Sequence, residues 1–387
     1  MSRPLDGLKV LDFTHVLAGP FATRILADMG ADVVKVNSAV RAVGANAPEH
    51  PYYLMWNRNK RALDLDMSQE EGRETCRKLC EQADVVIDNF SVGVMDRWGV
   101  GYTETSKANP GVIYVQMSGM GEGGPWSKFV TYAPTIHALC GLTYLTSVPG
   151  REDIGIGASY NDHMAGMHGA VAVLAALQHR AKTGEGQHVD VSQFEVGVNF
   201  LGPSVMDYFA NGVAAEPTAN NLPYDKAVPH GCYPCIPRGE GTVGENWIAI
   251  ACMTDGQWQS LVTLMGSPDW ATADRFATVD GRASGQTDLE TALSEWTSQQ
   301  DVYELMENCQ AAGVPAGVVQ DGEDLAERDP QLASSDFLHR IDDVHPALGQ
   351  TWADRLPIRF ARTPCDTYNR ARVVGEDTDA VLKDWLG

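Results

Sequence analysis

Leu8-Lys-Val-Leu-Asp-Phe-Thr14, then His15-Val-Leu-Ala-Gly-Pro20, then Asp32-Val-Val-Lys-Val36 are the segments that decide the fold. The first reads as an apolar strand. Gly19 permits a tight turn after it, and Pro20 suits a first helical position. A helix running to about Met29 ends at Gly30, and the third segment is a second strand. Moving outward, the alternation continues through a strand at Ala62–Met67, a helix at Gln69–Gln82, and strands at Asp84–Phe90 and Val112–Ser118. Strands separated by helices predict a parallel, doubly wound sheet. Ligands bind such sheets at the carboxyl ends of the strands, where His15, Asn89 and Ser118-Gly119 all fall.

A second stretch carries the candidate chemistry: Gly157-Ala-Ser-Tyr-Asn-Asp162-His163-Met-Ala-Gly166-Met-His168, running on to Leu177. From Met164 to Leu177 the only polar side chain is His168, and a helix apolar all round is expected to be buried. Asp162 stands where this helix begins. One reading makes it an N-cap, since Asp is among the preferred capping residues. The other makes it a carboxylate nucleophile at a dry helix terminus, favoured there by the positive dipole end.

Further on, His188–Ser192 reads as another strand. From about Gly202, repeated prolines with Asn220-Asn221 between them mark a linker and irregular stretch. A strand at Asn246–Ala251 and helices at Gly256–Met265, Asp288–Thr297 and Val302–Ala312 follow. The tail holds short strands (Phe337–Ile341, Ile358–Phe360) and a closing helix at Asp379–Trp385. The expected architecture is α/β: a large Rossmann-like domain made of residues 1–200 and 330–387, with a smaller α+β domain and linkers at 201–329.

The 387 residues are enough for two domains. The net charge of −22 argues against nucleic acid and anionic membranes as partners, which need a basic footprint. No apolar run reaches membrane-spanning length, the N-terminus does not read as a signal peptide, and eight scattered cysteines read as reduced thiols; the expected location is cytoplasmic. Cys232-Tyr-Pro-Cys235 lacks a matching second ligand pair, so no metal is expected. Gly119-Met-Gly121-Glu-Gly-Gly124 matches GxGxxG, but it follows the fifth strand and leads into Pro125-Trp126. A dinucleotide fingerprint needs the first βα turn and an acidic residue closing the second strand, so NAD is not expected.

End to end, the chain resembles the class III CoA-transferase family of the formyl-CoA:oxalate and carnitine type. The matching blocks are Pro4–His15, Ala18-Gly-Pro-Phe-Ala, Leu26–Lys35, Asn57-Arg-Asn-Lys60, Ala83–Phe90, Val94-Met-Asp-Arg97, Gly119-Met-Gly121 through Pro125, Asp162, Ala175-Ala-Leu, Thr183–Gln187 and Gly375-Glu-Asp-Thr. The resemblance implies an interlocked-ring homodimer that takes coenzyme A thioesters as substrate, with a small carboxylic acid as second substrate. It implies that Asp162 is the nucleophile and that His15 lines the site behind the first strand. Arg97, Ala18, Lys35, Gly119 and Gly121 are the positions it assigns to CoA binding.

An aspartate, with an ordinary pKa near 3.9, is ionised at pH 7 and needs no activating base. The implied path runs from a succinyl-CoA-like donor through an acyl–aspartyl anhydride and an aspartyl-CoA thioester. Such covalent steps divide one difficult exchange into easier ones, and each intermediate has to be kept from water. A related branch racemises 2-methylacyl-CoA thioesters with a His and an Asp as opposed acid–base groups: it also carries the Asp at position 162, and its His falls about thirty residues earlier, in a His-Asp pair. Here Tyr132-Ala133 takes that place, and a phenol is a poor proton-exchange partner near neutrality. A third reading is a CoA-binding subunit that works beside a homologous second chain, as in benzylsuccinate-type transferases.

Three positions depart from the family pattern. Lys35-Val-Asn37-Ser38 stands where an acidic residue and a downstream basic one are usual, with Arg41 the nearest arginine. Leu17 replaces a polar residue of the oxalate enzyme, pointing to a more apolar acyl group. Tyr224–His230 stands in place of the oxalate enzyme's glycine-rich lid.

Overall fold

The computed structural model describes residues 2–151, 155–223, 226–238 and 245–387. Tyr224 and Asp225, at the start of the segment that replaces the glycine-rich lid, lie outside them. The chain divides into two compact units, the first comprising Met1–Tyr144, Ile154–Ala214 and Leu332–Gly387, the second Leu145–Asp153 and Ala215–Gln331.

The first unit is built on six parallel strands: β1 (Lys9–Asp12), β2 (Asp32–Asn37), β3 (Arg61–Asp64), β4 (Val85–Asp88), β5 (Ile113–Gln116) and β6 (Gln187–Asp190). They lie in the order β3-β2-β1-β4-β5-β6. Val10 faces Val33 on one side and Val85 on the other, so β1 is central and buried on both faces. The winding reverses between β1 and β4, which opens a crevice at the carboxyl ends of those two strands.

Helices cover both faces. On one lie α1 (Ala18–Asp28) and the long α4 (Tyr160–Thr183), packed with Val10, Val33, Ile113 and Val115. On the other lie α2 (Glu70–Gln82) and the C-terminal α6 (Thr378–Leu386), whose Val381 and Trp385 meet Leu11, Val34 and Tyr114. The labels α3 and α5 denote Ala133–Leu139 and Gly202–Asn211 of the same unit.

Two local expectations are corrected. Residues 202–211 form α5 instead of an irregular linker, because Pro203 sits in the first turn, where a proline does no harm. The tail pairs Leu338–His345 with Gly349–Asp354, and Ile358–Phe360 is in no strand. The second unit holds a three-stranded antiparallel sheet of His230–Pro234, Trp247–Ala251 and Ala316–Val318, with helices at Asp255–Leu264, Gln286–Thr297 and Val302–Ala311. Cys232 is exposed on its strand while Cys235 is buried, and both thiols are free.

The helix pair α1 and α4 sets the geometry that matters. A Cβ on Gly166 would stand 2.7 Å from the Ala18 carbonyl oxygen and 2.8 Å from the Phe21 ring. Glycine therefore lets the two backbones touch. Replacing it is expected to cost more than the roughly 1 kcal/mol that alanine gains in helix propensity, because the obstructing atom is backbone. Gly166→Ala should lower stability by about 1–2 kcal/mol net, and Gly166→Val by more, read as a fall in the denaturation midpoint.

Candidate active site

A cleft of about 430 Å³ opens at the β1/β4 crevice and brings together residues that are far apart in the chain. His15, Val16 and Leu17 come from the loop after β1, Asn89 and Phe90 from the end of β4, and Ser118 and Gly119 from the end of β5. Gln193 follows β6, Tyr132 and Ile136 come from around the start of α3, and Asp162 comes from the first turn of α4.

Asp162 is not the N-cap. Ser159 occupies that position, and Asp162 is the third helical residue. The terminus is held by side chains on neighbouring segments. Nε2 of buried His137 accepts the Asn161 N–H at 3.1 Å, and the Asn161 amide donates to the Gln193 carbonyl at 2.9 Å. Asp162 Oδ2 is buried and has no hydrogen-bond partner. Burial pushes this carboxyl up from the ordinary 3.8 to about 6, with its own backbone amide pulling weakly the other way. With its pKa at about 6 the carboxyl is mostly ionised at pH 7, and its buried Oδ2 carries no hydrogen bond to offset that charge.

His15 stands on the same cleft, its ring 5.0 Å from Phe90 and its Nδ1 without a partner. Burial, reinforced by the nearby Lys35 charge, depresses its pKa to about 3. The imidazole is therefore neutral at physiological pH.

The other expected residues divide into two groups. Gly119 lines the cleft, whereas Ala18, Lys35, Gly121 and Arg97 do not. Ala18 is buried against α4, and Arg97 is exposed and makes no ion pair with any described residue. Gly121 lies against Ser192 with φ at +85°, in the left-handed region. Lys35 points into the protein: its ammonium donates to the Thr14 carbonyl and lies 3.7 Å from the buried Asp12 carboxylate. A strand residue ending in Lys-Val-Asn reads equally well with the lysine on either face, and the buried carboxylate of Asp12 took it inward. Asn37 is also internal, its amide donating to the Tyr53 hydroxyl at 3.0 Å.

A second cavity of about 270 Å³ adjoins the first through shared walls at His15 and Phe90. Val36, Val40, Leu65, Met67 and Trp98 make it largely apolar, and Ser38 and Arg41 also line it. Several residues of this region carried no sequence signal. Asn46 lies in an aperiodic segment, and His137 acts across the fold. Gln193 was within reach, because it follows a strand end. Asp88 is fully buried beneath Phe90, whose N–H it accepts at 3.0 Å, and burial pushes its carboxyl up to about 7.

Against known proteins, the model of CoA-transferase family III matches residues 5–378. The chain belongs to that family. It is 30% identical to the succinyl-CoA–D-citramalate CoA-transferase of Chloroflexus aurantiacus over all of this chain and 94% of that one. It is 29% identical to the alpha subunit of succinyl-CoA–L-malate CoA-transferase of the same organism, covering 99% of this chain and 89% of the relative. Among solved structures, a CAIB/BAIF family protein from Brucella suis superposes with a TM-score of 0.89 at 32% identity, with both chains fully covered. The chain is thus a class III CoA-transferase, an enzyme that works on CoA thioesters, on the α/β fold expected from its motifs.

The raised carboxyl of Asp162 has a signed consequence. Its folded-state pKa of about 6 lies above the unfolded value, so the penalty for its charge is fully present above pH 6 and gone below about 4. Asp162→Asn should therefore be more stable than the natural chain by roughly 1–3 kcal/mol at pH 8. That advantage should vanish at pH 4, as compared by urea melts at the two pH values.

Proposed function

We propose that this transferase moves CoA from a succinyl-CoA-like donor to a free carboxylic acid through covalent intermediates on Asp162. The observation that carries the reading is the unpartnered, buried Oδ2 of Asp162, a residue that lines the cleft. The carboxylate attacks the donor's thioester carbonyl, and the C–S bond breaks to give an acyl–aspartyl anhydride and CoA thiolate. The thiolate then attacks the aspartyl carbonyl, releasing the donor acid and leaving an aspartyl-CoA thioester. The acceptor carboxylate attacks that thioester, and the returning thiolate cleaves the new anhydride on the acceptor's side, freeing Asp162.

The adjoining, largely apolar cavity with Arg41 suits the nucleotide end of CoA, which puts the thioester past His15 and Phe90 into the cleft. Neutral His15 is fitted to line the acyl site and donate or accept a hydrogen bond, not to shuttle a proton at pH 7. Tyr132 and Ala133 at the start of α3 likewise offer no acid–base partner for α-proton exchange, which favours the transferase over the racemase. Backbone amides near Gly119 are the candidates to meet the developing oxyanions. The partner is read as a second copy of this chain: α4 leaves Met167 and Val171 exposed, and α5 leaves Met206, Tyr208 and Phe209 exposed, contrary to the expectation of an α4 buried all round. The malate relative, named as an alpha subunit, makes an unlike second chain the alternative partner.

Incubation with succinyl-CoA and a panel of other acyl-CoAs, quenched with hydroxylamine, should leave hydroxamate on the peptide that holds Asp162, and none in Asp162→Asn. Exchange of a substrate α-proton for solvent deuterium, with the peptide unmodified, would point to the racemase instead. Transfer should also fall as pH drops through about 6, because protonation removes the nucleophile.

A further inference from the structure

We infer that the Thr14–Leu17 loop is a preorganised wall of the acyl site, held in a strained conformation by the side chains of Asn89 and Asn46. Those two residues and Val16 are then positioning residues for transfer, an inference that rests on the function proposed above.

Val16 has φ of +66°. The other non-glycine residues with positive φ among the described residues are Asn59, Ala219, Ser267 and Asp336, and none of those is β-branched. For a β-branched residue this conformation is a true outlier, and such strain persists only where the surroundings over-determine it.

Here every residue of the loop is tied. The Thr14 N–H and hydroxyl both donate to Asp12 Oδ1, at 2.8 and 2.6 Å, and its carbonyl accepts from Lys35. Asn89 closes a reciprocal pair on the His15 backbone: Oδ1 accepts its N–H at 2.7 Å and Nδ2 donates to its carbonyl at 2.9 Å. Asn46 Oδ1 accepts the Val16 N–H at 3.1 Å. The Leu17 carbonyl accepts the Phe21 N–H at 2.8 Å. These ties over-determine the loop and hold Val16 in its strained conformation on the cleft that holds Asp162.

A wall fixed before the reaction acts on the placement of the thioester carbonyl against Asp162. It therefore shows in the chemical step more than in binding, because the CoA moiety supplies most of the affinity from a distance.

The test uses the full chain and four proteins: natural, Val16→Gly, Asn89→Leu and the double variant. Readouts are kcat, donor KM, thermal midpoint, and the ratio of hydrolysis to transfer. Glycine adopts positive φ freely, so Val16→Gly should keep or raise the thermal midpoint while kcat falls about tenfold. Asn89→Leu should lower kcat ten- to a hundredfold with donor KM within about threefold, and both should raise the share of hydrolysis. Because both act through one loop, the double variant should lose little more than the worse single variant.

Wild-type kcat and hydrolysis ratio in Val16→Gly and Asn89→Leu would overturn the positioning role alone. So would fully additive losses, or a rise in KM with kcat intact. If the natural chain forms no Asp162 adduct with any donor, the proposed function falls and this inference with it.

Discussion

The buried carboxylate of Asp12 is the constraint on which the first unit depends. It closes β1 and accepts from Lys60 at 3.0 Å, from Thr23 of α1 at 2.7 Å and from both polar groups of Thr14. Lys35 of β2 lies beside it. One carboxylate thus serves two buried ammoniums and pins a strand, a helix and the loop after β1 to each other. Losing one partner of such a cluster leaves uncompensated charge in a medium that cannot solvate it, typically a matter of several kcal/mol. Burial lowers Lys60 to about 7, while His15 is kept neutral by its own burial with the nearby Lys35 charge adding to it.

Asp162 obeys the opposite logic. Asp12 is surrounded by donors and held far below the ordinary carboxylate range, whereas Asp162 faces a cleft with one oxygen unsatisfied and its pKa pushed up. Two aspartates of one unit therefore take two roles. The difference lies in what stands within hydrogen-bond reach of each, since desolvation acts on both. The close approach of α4 to α1 at Gly166 brings the second carboxylate to the wall formed by the loop of the first.

Much of this was legible in the chain. The alternation of apolar strands with capped helices placed all six strands of the sheet within a few residues, because the period of the pattern is a local property. The same reading put His15, Asn89 and Ser118-Gly119 at strand ends, and these residues line the cleft. The motif blocks singled out Asp162. Lys35, expected at the CoA site, instead turns inward to Asp12 and the Thr14 carbonyl, a choice between two environments that the sequence pattern does not distinguish. Asn46 and His137 were invisible because their partners, Val16 and Asn161, are 30 and 24 residues away.

The sequence by itself determined the strand order's raw material, the family, and the identity of the candidate nucleophile, all of which rest on local periodicity and on motif spacing. Tertiary structure alone decided which charges were buried together, which oxygen of Asp162 was left without a partner, and that Val16 would be held in a conformation its own side chain disfavours. Those outcomes depend on atoms brought into contact by packing, and such contacts are set by the sum of interactions across the fold, not by any one stretch of chain.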